Sequence, residues 1–147
     1  MSELRILIRS DWPEGGLACP WAFFDNSPHA ATLGDSRPEH WPVADRLVVL
    51  LAPGQVSRLT ARIPARLRRE GGEALAFALE DRVAENVAHL HLAAAALPGS
   101  SDGDPESTIA VIDRSRLSRV LASLKELGRP ASEAYGFHDL TDGSPAC

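Results

Sequence analysis

In this 147-residue sequence, the first candidates for a metal site or a catalytic site are two pairs of residues, each with at least one histidine. His89 and His91 lie two positions apart, so on a strand both would point to one face and could share a metal ion. Neither has a carboxylate or a cysteine at ligand spacing, and this favours ordinary strand histidines. His138 and Asp139 suggest a catalytic dyad, but adjacent residues rarely face each other, so a solvated turn is the preferred interpretation.

The sequence lacks the short motifs of nucleophilic catalysis and of common nucleotide sites. It contains neither G-x-S-x-G nor G-x-x-x-x-G-K-[ST]. Glu80 and Asp81 could act as an acid–base pair, but neighbouring side chains on a helix diverge by about 100°, and a solvated edge is expected. Cys19 and Cys147 lack metal-ligand spacing and indicate free thiols in a reducing compartment.

Arginines form two clusters at the expected starts of helices. The first, Arg66–Arg69, could hold a phosphate or an acidic partner, although a solvated helix start is the default interpretation. The second comprises Arg114, Arg116 and Arg119, where positive charge is mildly unfavourable because of the helix dipole. That small cost leaves room for a role in partner binding. We therefore take these three arginines as the candidate partner-binding residues.

Composition limits the class of protein and the class of partner. Hydrophobic residues make up 44% of the chain and charged residues 24%, as in a soluble globular domain. The net charge of −5 argues against nucleic acid or an anionic membrane as the main partner. No signal peptide is recognisable, and no window reaches the roughly 20 apolar residues of a membrane span. These features predict a soluble, cytoplasmic chain.

Hydrophobic patterning predicts an α/β domain with a mixed sheet. A first subdomain, residues 1–88, is expected to contain strands at 4–8, 21–24, 30–33, 46–52 and 56–63. The first three strands should form an antiparallel meander. The segment 46–52 is apolar on both faces, as in a central strand covered on both sides. A long amphipathic helix over 73–87 should follow, because apolar residues recur there at every fourth position: Leu75, Leu79, Val83 and Val87.

A second piece of a subdomain is expected over residues 89–136. It should contain strands at 90–95 and 108–112 and a second long amphipathic helix at 114–127. Asp113 is placed to cap the start of this helix, and Gly128 to end it. Leu97 to Ser107 is rich in Gly, Ser and Asp and predicts a mobile loop. The tail, 137–147, is polar and lacks a closing element, which predicts a chain cut from a longer protein.

The order of these segments resembles the cytoplasmic N-terminal region of protein L of the type II (general) secretion pathway. The resemblance spans nearly the whole chain, and its most specific part lies between Leu79 and His91. It is carried by RLVVLLAPG from Arg46, RIPA from Arg62, AFALED from Ala76, AENV from Ala84, LHL from Leu90, and the leucine-rich helix ending at Gly128. It implies the N-terminal part of an actin-like (RNase H-like) fold, with a membrane helix and a periplasmic domain further along the full-length chain.

The resemblance also implies an architectural role at the cytoplasmic face of the bacterial inner membrane. Proteins of this family dock the secretion ATPase, protein E, and pair with protein M. We expect the N-terminal domain of the ATPase as the partner and leave a homodimer open. Catalysis, cofactors and metals are not expected.

The turn after the first strand bears on catalysis. An actin-type nucleotide site needs a Gly/Thr/Ser-rich phosphate loop there, with an acidic residue aimed at the metal. Asp11 is present, but Trp12 adds bulk and Pro13 removes a backbone donor. No ATP hydrolysis is therefore predicted. Two alternatives remain: an actin-like nucleotide-binding protein, and the related cytoplasmic subunit of type IV pilus assembly, which binds a short peptide from a membrane partner.

Overall fold

The computed structural model describes residues 1–27, 30–96 and 106–137. Within them the strands are β1 (Glu3–Ile8), β2 (Cys19–Phe24), β3 (Thr32–Ser36), β4 (Arg46–Leu51), β5 (Val56–Arg62), β6 (Leu90–Ala96), β7 (Glu106–Asp113) and β8 (Glu133–Gly136). The helices are α1 (Ala65–Glu70), α2 (Gly72–Ala78) and α3 (Arg114–Glu126). Short 3-10 turns occur at Pro38–His40, Glu80–Arg82 and Val87–His89.

Five strands form the larger sheet, sheet 1, in the order β3-β2-β1-β4-β8. β1, β2 and β3 pair antiparallel, whereas β1–β4 and β4–β8 pair parallel. The register places Ile6 beside both Trp21 and Val49. The mixed sheet with an antiparallel opening meander is therefore confirmed.

Helix α3 covers one face of sheet 1. Alternate residues of β1 (Leu4, Ile6 and Ile8) are buried in one core with Leu117, Val120 and Leu124 of the helix, as the strand period of two and the helix spacing of three and four require. The predicted cap is present, since the Asp113 carboxylate accepts from the Arg116 N–H at 2.8 Å. Gly128, at φ 74°, ends the helix as predicted.

The smaller sheet, sheet 2, has the order β5-β7-β6, and neighbouring strands are antiparallel. A second core forms between this sheet and the short helices, with Leu75 and Leu79 against Ile63 and Ile109. Sheet 2 lies in the chain between β4 and α3, while β8 returns to sheet 1. Each sheet thus contains strands from both sides of residue 88, and the division into subdomains at that point stays a prediction.

The helix predicted over 73–87 is wrong, because only the first part of this range is helical, as α2. Gly71, at φ 57°, separates α1 from α2, and α2 ends at Ala78. The chain then forms a 3-10 turn and becomes extended at Val83, with φ −114° and ψ 140°. Leu75 and Leu79 are buried, but Val83 and Val87 only partly. The apolar residues at every fourth position therefore continue beyond the part of the chain that is helical.

Smaller differences concern the ends of strands. The strand predicted at 30–33 is observed at Thr32–Ser36, because its register with β2 runs from Phe23↔Thr32 to Cys19↔Ser36. β7 begins at Glu106, so Glu106 and Ser107 belong to a strand, and the rest of the predicted loop, 97–105, lies outside the described residues. β8 was not predicted, because four residues carry too little pattern; parallel pairing with β4 defines it.

Candidate functional site: the turn between β1 and β2 and the start of α3

The turn between β1 and β2 is where an actin-type nucleotide site would hold phosphate, and its centre is occupied by a tryptophan. Trp12 is only 2% exposed and belongs to the core of sheet 1. Its indole Nε1 donates to the carbonyl oxygen of Leu17 at 3.3 Å. The bulky residue noted in the sequence is therefore turned inward, and it fixes the turn to the core.

Three backbone N–H groups of this turn donate to carbonyl oxygens within the turn. The N–H of Trp12 donates to the Arg9 carbonyl at 3.1 Å, that of Gly15 to the Asp11 carbonyl at 2.7 Å, and that of Gly16 to the Pro13 carbonyl at 3.1 Å. Pro13 has no N–H to offer. Phosphate binding in such a turn depends on free N–H groups, so an anion held by these three groups would have to displace their bonds.

Space beside the turn is small. The cavity lined by Arg9, Asp11, Trp12, Gly15, Gly16 and Ala18 has a volume of about 90 Å³. Small-molecule pockets usually measure about 300–1,000 Å³. The Asp11 carboxylate packs over Gly15, where a Cβ would lie 2.1 Å from Asp11 Oδ2. The glycine is thus required for the close approach of this side chain.

Arg116 supports the turn from the first turn of α3. Its Nη1 donates to the Trp12 carbonyl at 2.6 Å and its Nη2 to the Arg9 carbonyl at 2.8 Å. Its Nε donates to Gln55 Oε1 at 2.9 Å. Burial lowers the pKa of this guanidinium, and the negative charge of Asp11 opposes that effect.

The other two candidate partner-binding arginines also contact the chain itself. Arg119 forms an ion pair with Glu14, and both side chains are more than half exposed, at 54% and 57%. Arg114 is exposed, and its Nη2 donates to the Leu90 carbonyl at 3.1 Å. The structure therefore places all three arginines near the junction of α3 with the rest of the molecule, and their role in partner binding stays a prediction.

The remaining candidates do not converge in the part of the chain that the structure describes. His89 is exposed at the end of a 3-10 turn, while His91 is partly buried in β6. Burial, with a smaller effect from the charge of Arg114, lowers the pKa of His91. No three His, Cys, Asp or Glu side chains among the described residues are grouped to hold a metal ion. His138 and Asp139 lie outside the described residues.

The first arginine cluster and the acidic pair are on the surface of sheet 2's helical layer. Glu80 and Asp81 are exposed in a 3-10 turn, as a solvated edge requires. The Arg66 guanidinium lies 4.0 Å from the Glu70 carboxylate. Arg68 is different, because its Nη1 is buried and has no hydrogen-bond partner among the described residues. Such an orphan donor costs stability.

A groove of about 440 Å³ that the sequence did not predict lies between sheet 2 and the segment 82–85. Apolar side chains and charges of both signs line it, including Leu59, Val83, Leu90, Val111, Arg58, Arg82, Glu85 and Asp113. It exists because residues 83–85 are not helical. The sequence signal for this interruption is Asn86, a favoured N-cap residue. Its side chain accepts from the Ala88 N–H at 3.0 Å at the start of the 3-10 turn Val87–His89.

Within the described ranges, no helix combines the length and the apolarity that crossing a membrane requires. The order of sheet 1 and the helix on its face, together with the solved structures that match, define the class of fold: this is an actin-like fold. The family model for protein L of the type II secretion system (T2SS) matches residues 31–134. The chain belongs to that family.

Solved structures with this fold include two relatives of secretion and pilus machinery. The cytoplasmic domain of EpsL, an inner membrane component of the type II secretion system of Vibrio cholerae, matches with a TM-score of 0.63 and 21% identity, over 91% of this chain and 56% of that chain. The PilM–PilN type IV pilus biogenesis complex matches with a TM-score of 0.56 and 15% identity, over 88% and 46%. This chain thus spans little more than half of the EpsL domain.

A third match is more distant. It is a Bacteroides thetaiotaomicron protein of unknown function with an actin-like ATPase fold, with a TM-score of 0.49 and 10% identity over 92% of this chain and 51% of that chain. The comparison with curated proteins gave no significant match.

Proposed function

We propose that this chain is a cytoplasmic docking module of a type II secretion inner-membrane component, and that it recruits the secretion ATPase, protein E, to the membrane platform. Membership of the protein L family carries the proposal. The similar structure is the cytoplasmic domain of EpsL, an inner membrane component, and this supports a location of the present chain at the cytoplasmic face of the membrane. Anchoring in the membrane and pairing with protein M would belong to the full-length protein.

The geometry of the β1–β2 turn supports a scaffold without catalysis. A nucleotide would need free backbone N–H groups, whereas those of Trp12, Gly15 and Gly16 donate within the turn. It would also need more space than the 90 Å³ beside Asp11. Docking of a protein needs neither.

We place the docking contact on the start of α3, at Arg114, Arg116 and Arg119. The three arginines differ in what a partner could reach. Arg119 is 54% exposed, and its ion pair with Glu14 is accessible to a competing carboxylate. Arg116 is partly buried and supports the surface through bonds to the β1–β2 turn. An acidic patch on the ATPase would therefore contact chiefly Arg119 and Arg114.

Calorimetric titration with the N-terminal domain of protein E from the same organism tests the proposal. We expect saturable binding at micromolar concentration, and Arg119→Glu should weaken it. The charge-swapped pair Arg119→Glu/Glu14→Arg restores the internal ion pair but not the positive charge at position 119. If the swapped pair binds like wild type, Arg119 does not contact the ATPase.

Two further controls separate the parts of the proposal. Arg66→Glu reverses an arginine of a different helix, α1, whose side chain is 75% exposed, and should leave affinity unchanged. A thermal-shift scan with ATP and magnesium tests the nucleotide-binding alternative, since a ligand at 100 times its Kd stabilises by about 2.7 kcal/mol. Absence of binding to protein E would refute docking, and a clear nucleotide-dependent shift would refute the closed turn.

A further inference from the structure

The polypeptide passes between the two sheets twice, and both passages lie near one arginine. The first passage, residues 52–55, leads from β4 of sheet 1 to β5 of sheet 2. The second leads from Asp113, the last residue of β7, to Arg114, the first of α3. Sheet 2 and its helices are therefore an inserted unit, residues 56–113, whose two ends are attached side by side.

Arg116 connects these passages to the turn between β1 and β2. Its backbone N–H donates to the Asp113 carboxylate at 2.8 Å, at the second passage. Its Nε donates to Gln55 Oε1 at 2.9 Å, at the first passage. Gln55 in turn donates from Nε2 to the Ile8 carbonyl at 2.8 Å, at the end of β1. The guanidinium also binds the carbonyl oxygens of Arg9 and Trp12.

Apart from this network, the inserted unit has limited apolar contact with sheet 1. Most of its apolar side chains form the separate second core with Leu75 and Leu79. Among the described residues of the unit, only Ile112 and Val56, from the strand ends nearest the passages, pack in the core of sheet 1. Gly54, in the first passage, has φ +94°, a conformation that favours glycine. Hinges are usually a few loop or element-terminal residues, and both passages consist of such residues.

We propose that Arg116 and Gln55 form a latch that holds the inserted unit in one orientation relative to sheet 1, with the hinge at residues 52–55 and 113–114. The side-chain bond between them holds Gln55, the residue directly before the inserted unit, against the first turn of α3. The groove lies on the inserted unit, and Arg119 lies on α3 against sheet 1. The latch therefore fixes the relative position of two surfaces that a single large partner could contact. This inference does not depend on which partner binds.

Distance measurements between spin labels test the latch. The labels are placed at Val43→Cys, beside sheet 1, and Phe77→Cys, on α2 of the inserted unit, in a Cys147→Ser background; these two positions are 85% and 77% exposed. Pulsed electron–electron double resonance should give one narrow distance distribution with the latch intact. Gln55→Ala removes the bond from Arg116 and the bond to the Ile8 carbonyl, and it should add a second population. Loss of the Arg116 bond alone corresponds to a rise of the open fraction by about threefold to tenfold.

Arg116→Lys extends the test, because a lysine ammonium cannot reproduce the planar set of donors. It should broaden the distribution further. The matched control is Arg119→Gln, one turn along the same helix, which removes only the exposed ion pair with Glu14 and should leave the distribution narrow.

Circular dichroism in the aromatic region shows whether each variant retains its packing. If Gln55→Ala and Arg116→Lys are folded and keep the narrow distribution, the latch is refuted. If Arg116→Lys does not fold, Gln55→Ala alone decides, because it leaves the bonds of Arg116 to Arg9 and Trp12 intact. A broad distribution in the intact protein would equally refute a latched state.

Discussion

Replacing Trp12 by alanine should cost about 3–5 kcal/mol of the free energy of unfolding, the usual range for a large aromatic side chain removed from a core. The side chain is 2% exposed and packs in the same cluster as Leu4, Ile6 and Ile8. Its indole also donates to the Leu17 carbonyl at 3.3 Å. Folded domains are commonly stable by only about 5–15 kcal/mol, so this change should remove a large part of the total.

Urea unfolding followed by circular dichroism measures the effect. Trp12→Phe separates the two contributions, since it keeps an aromatic ring and removes only the indole donor and some volume. A net hydrogen bond contributes about 0.5–1.5 kcal/mol, so Trp12→Phe should cost clearly less than Trp12→Ala. The matched control is Phe77→Ala, because Phe77 is 77% exposed and its removal should change stability by less than about 0.5 kcal/mol.

The comparison can refute the reasoning about the turn. If Trp12→Ala lowers the midpoint no more than Phe77→Ala does, with an unchanged slope, then Trp12 does not fill the core in solution. The turn between β1 and β2 would then be open, and the argument against a nucleotide at this position would lose its main support.

Three further changes test other local conclusions. Arg68→Met should raise the free energy of unfolding, measured in urea, by about 1 kcal/mol, since it removes a buried donor that has no partner among the described residues. Arg66→Met, at an exposed position, should change this free energy little. Asp113→Ala should lower the free energy of unfolding by about 0.5–2 kcal/mol through loss of the α3 cap. Asp113→Asn should retain most of the stability that the cap contributes, since an asparagine oxygen can accept the same bond. Burial raises the pKa of Cys19 from 9.0 to about 12, so the thiol ionises in the unfolded chain first, and the free energy of unfolding should fall as pH rises between these values. Cys19→Ala should lack this part of the pH dependence. If the free energy of unfolding of Cys19→Ala falls with pH as steeply as that of the wild type, the buried thiol is not the cause.

Elements with complete local signals could be predicted from the sequence. α3 has a capping aspartate, apolar spacings of three and four, and a glycine after its end, and its predicted range, 114–127, agrees with the observed helix within one residue. Even there, burial was not uniform: Leu117, Val120 and Leu124 are buried, while Leu121 and Leu127 are 37% and 39% exposed. Periodicity shows which residues share a face, but the neighbouring sheet decides how wide the covered part of that face is.

Elements defined by distant partners could not be predicted. β8 is a strand because four residues pair with β4, which lies more than 80 positions earlier in the chain. α2 ends at Ala78 although its apolar repeat continues, because the sheet beneath it covers only the first part of that repeat. Both outcomes depend on long-range contacts, which a local pattern does not contain.

Arg116 shows the same limit within the candidate site. By residue type and spacing it is indistinguishable from Arg114 and Arg119, and all three were natural candidates for an acidic partner. In the folded chain, the guanidinium of Arg116 donates to Arg9, Trp12 and Gln55, whereas Arg119 has one exposed ion pair. A carboxylate from a partner can compete for Arg119 at little cost. To engage Arg116 fully it would have to break the bonds from Arg116 to the Arg9 and Trp12 carbonyls. Loss of ATPase binding in an Arg116 variant would therefore report on the turn as well as on the contact, and only Arg119 and Arg114 can test the contact itself.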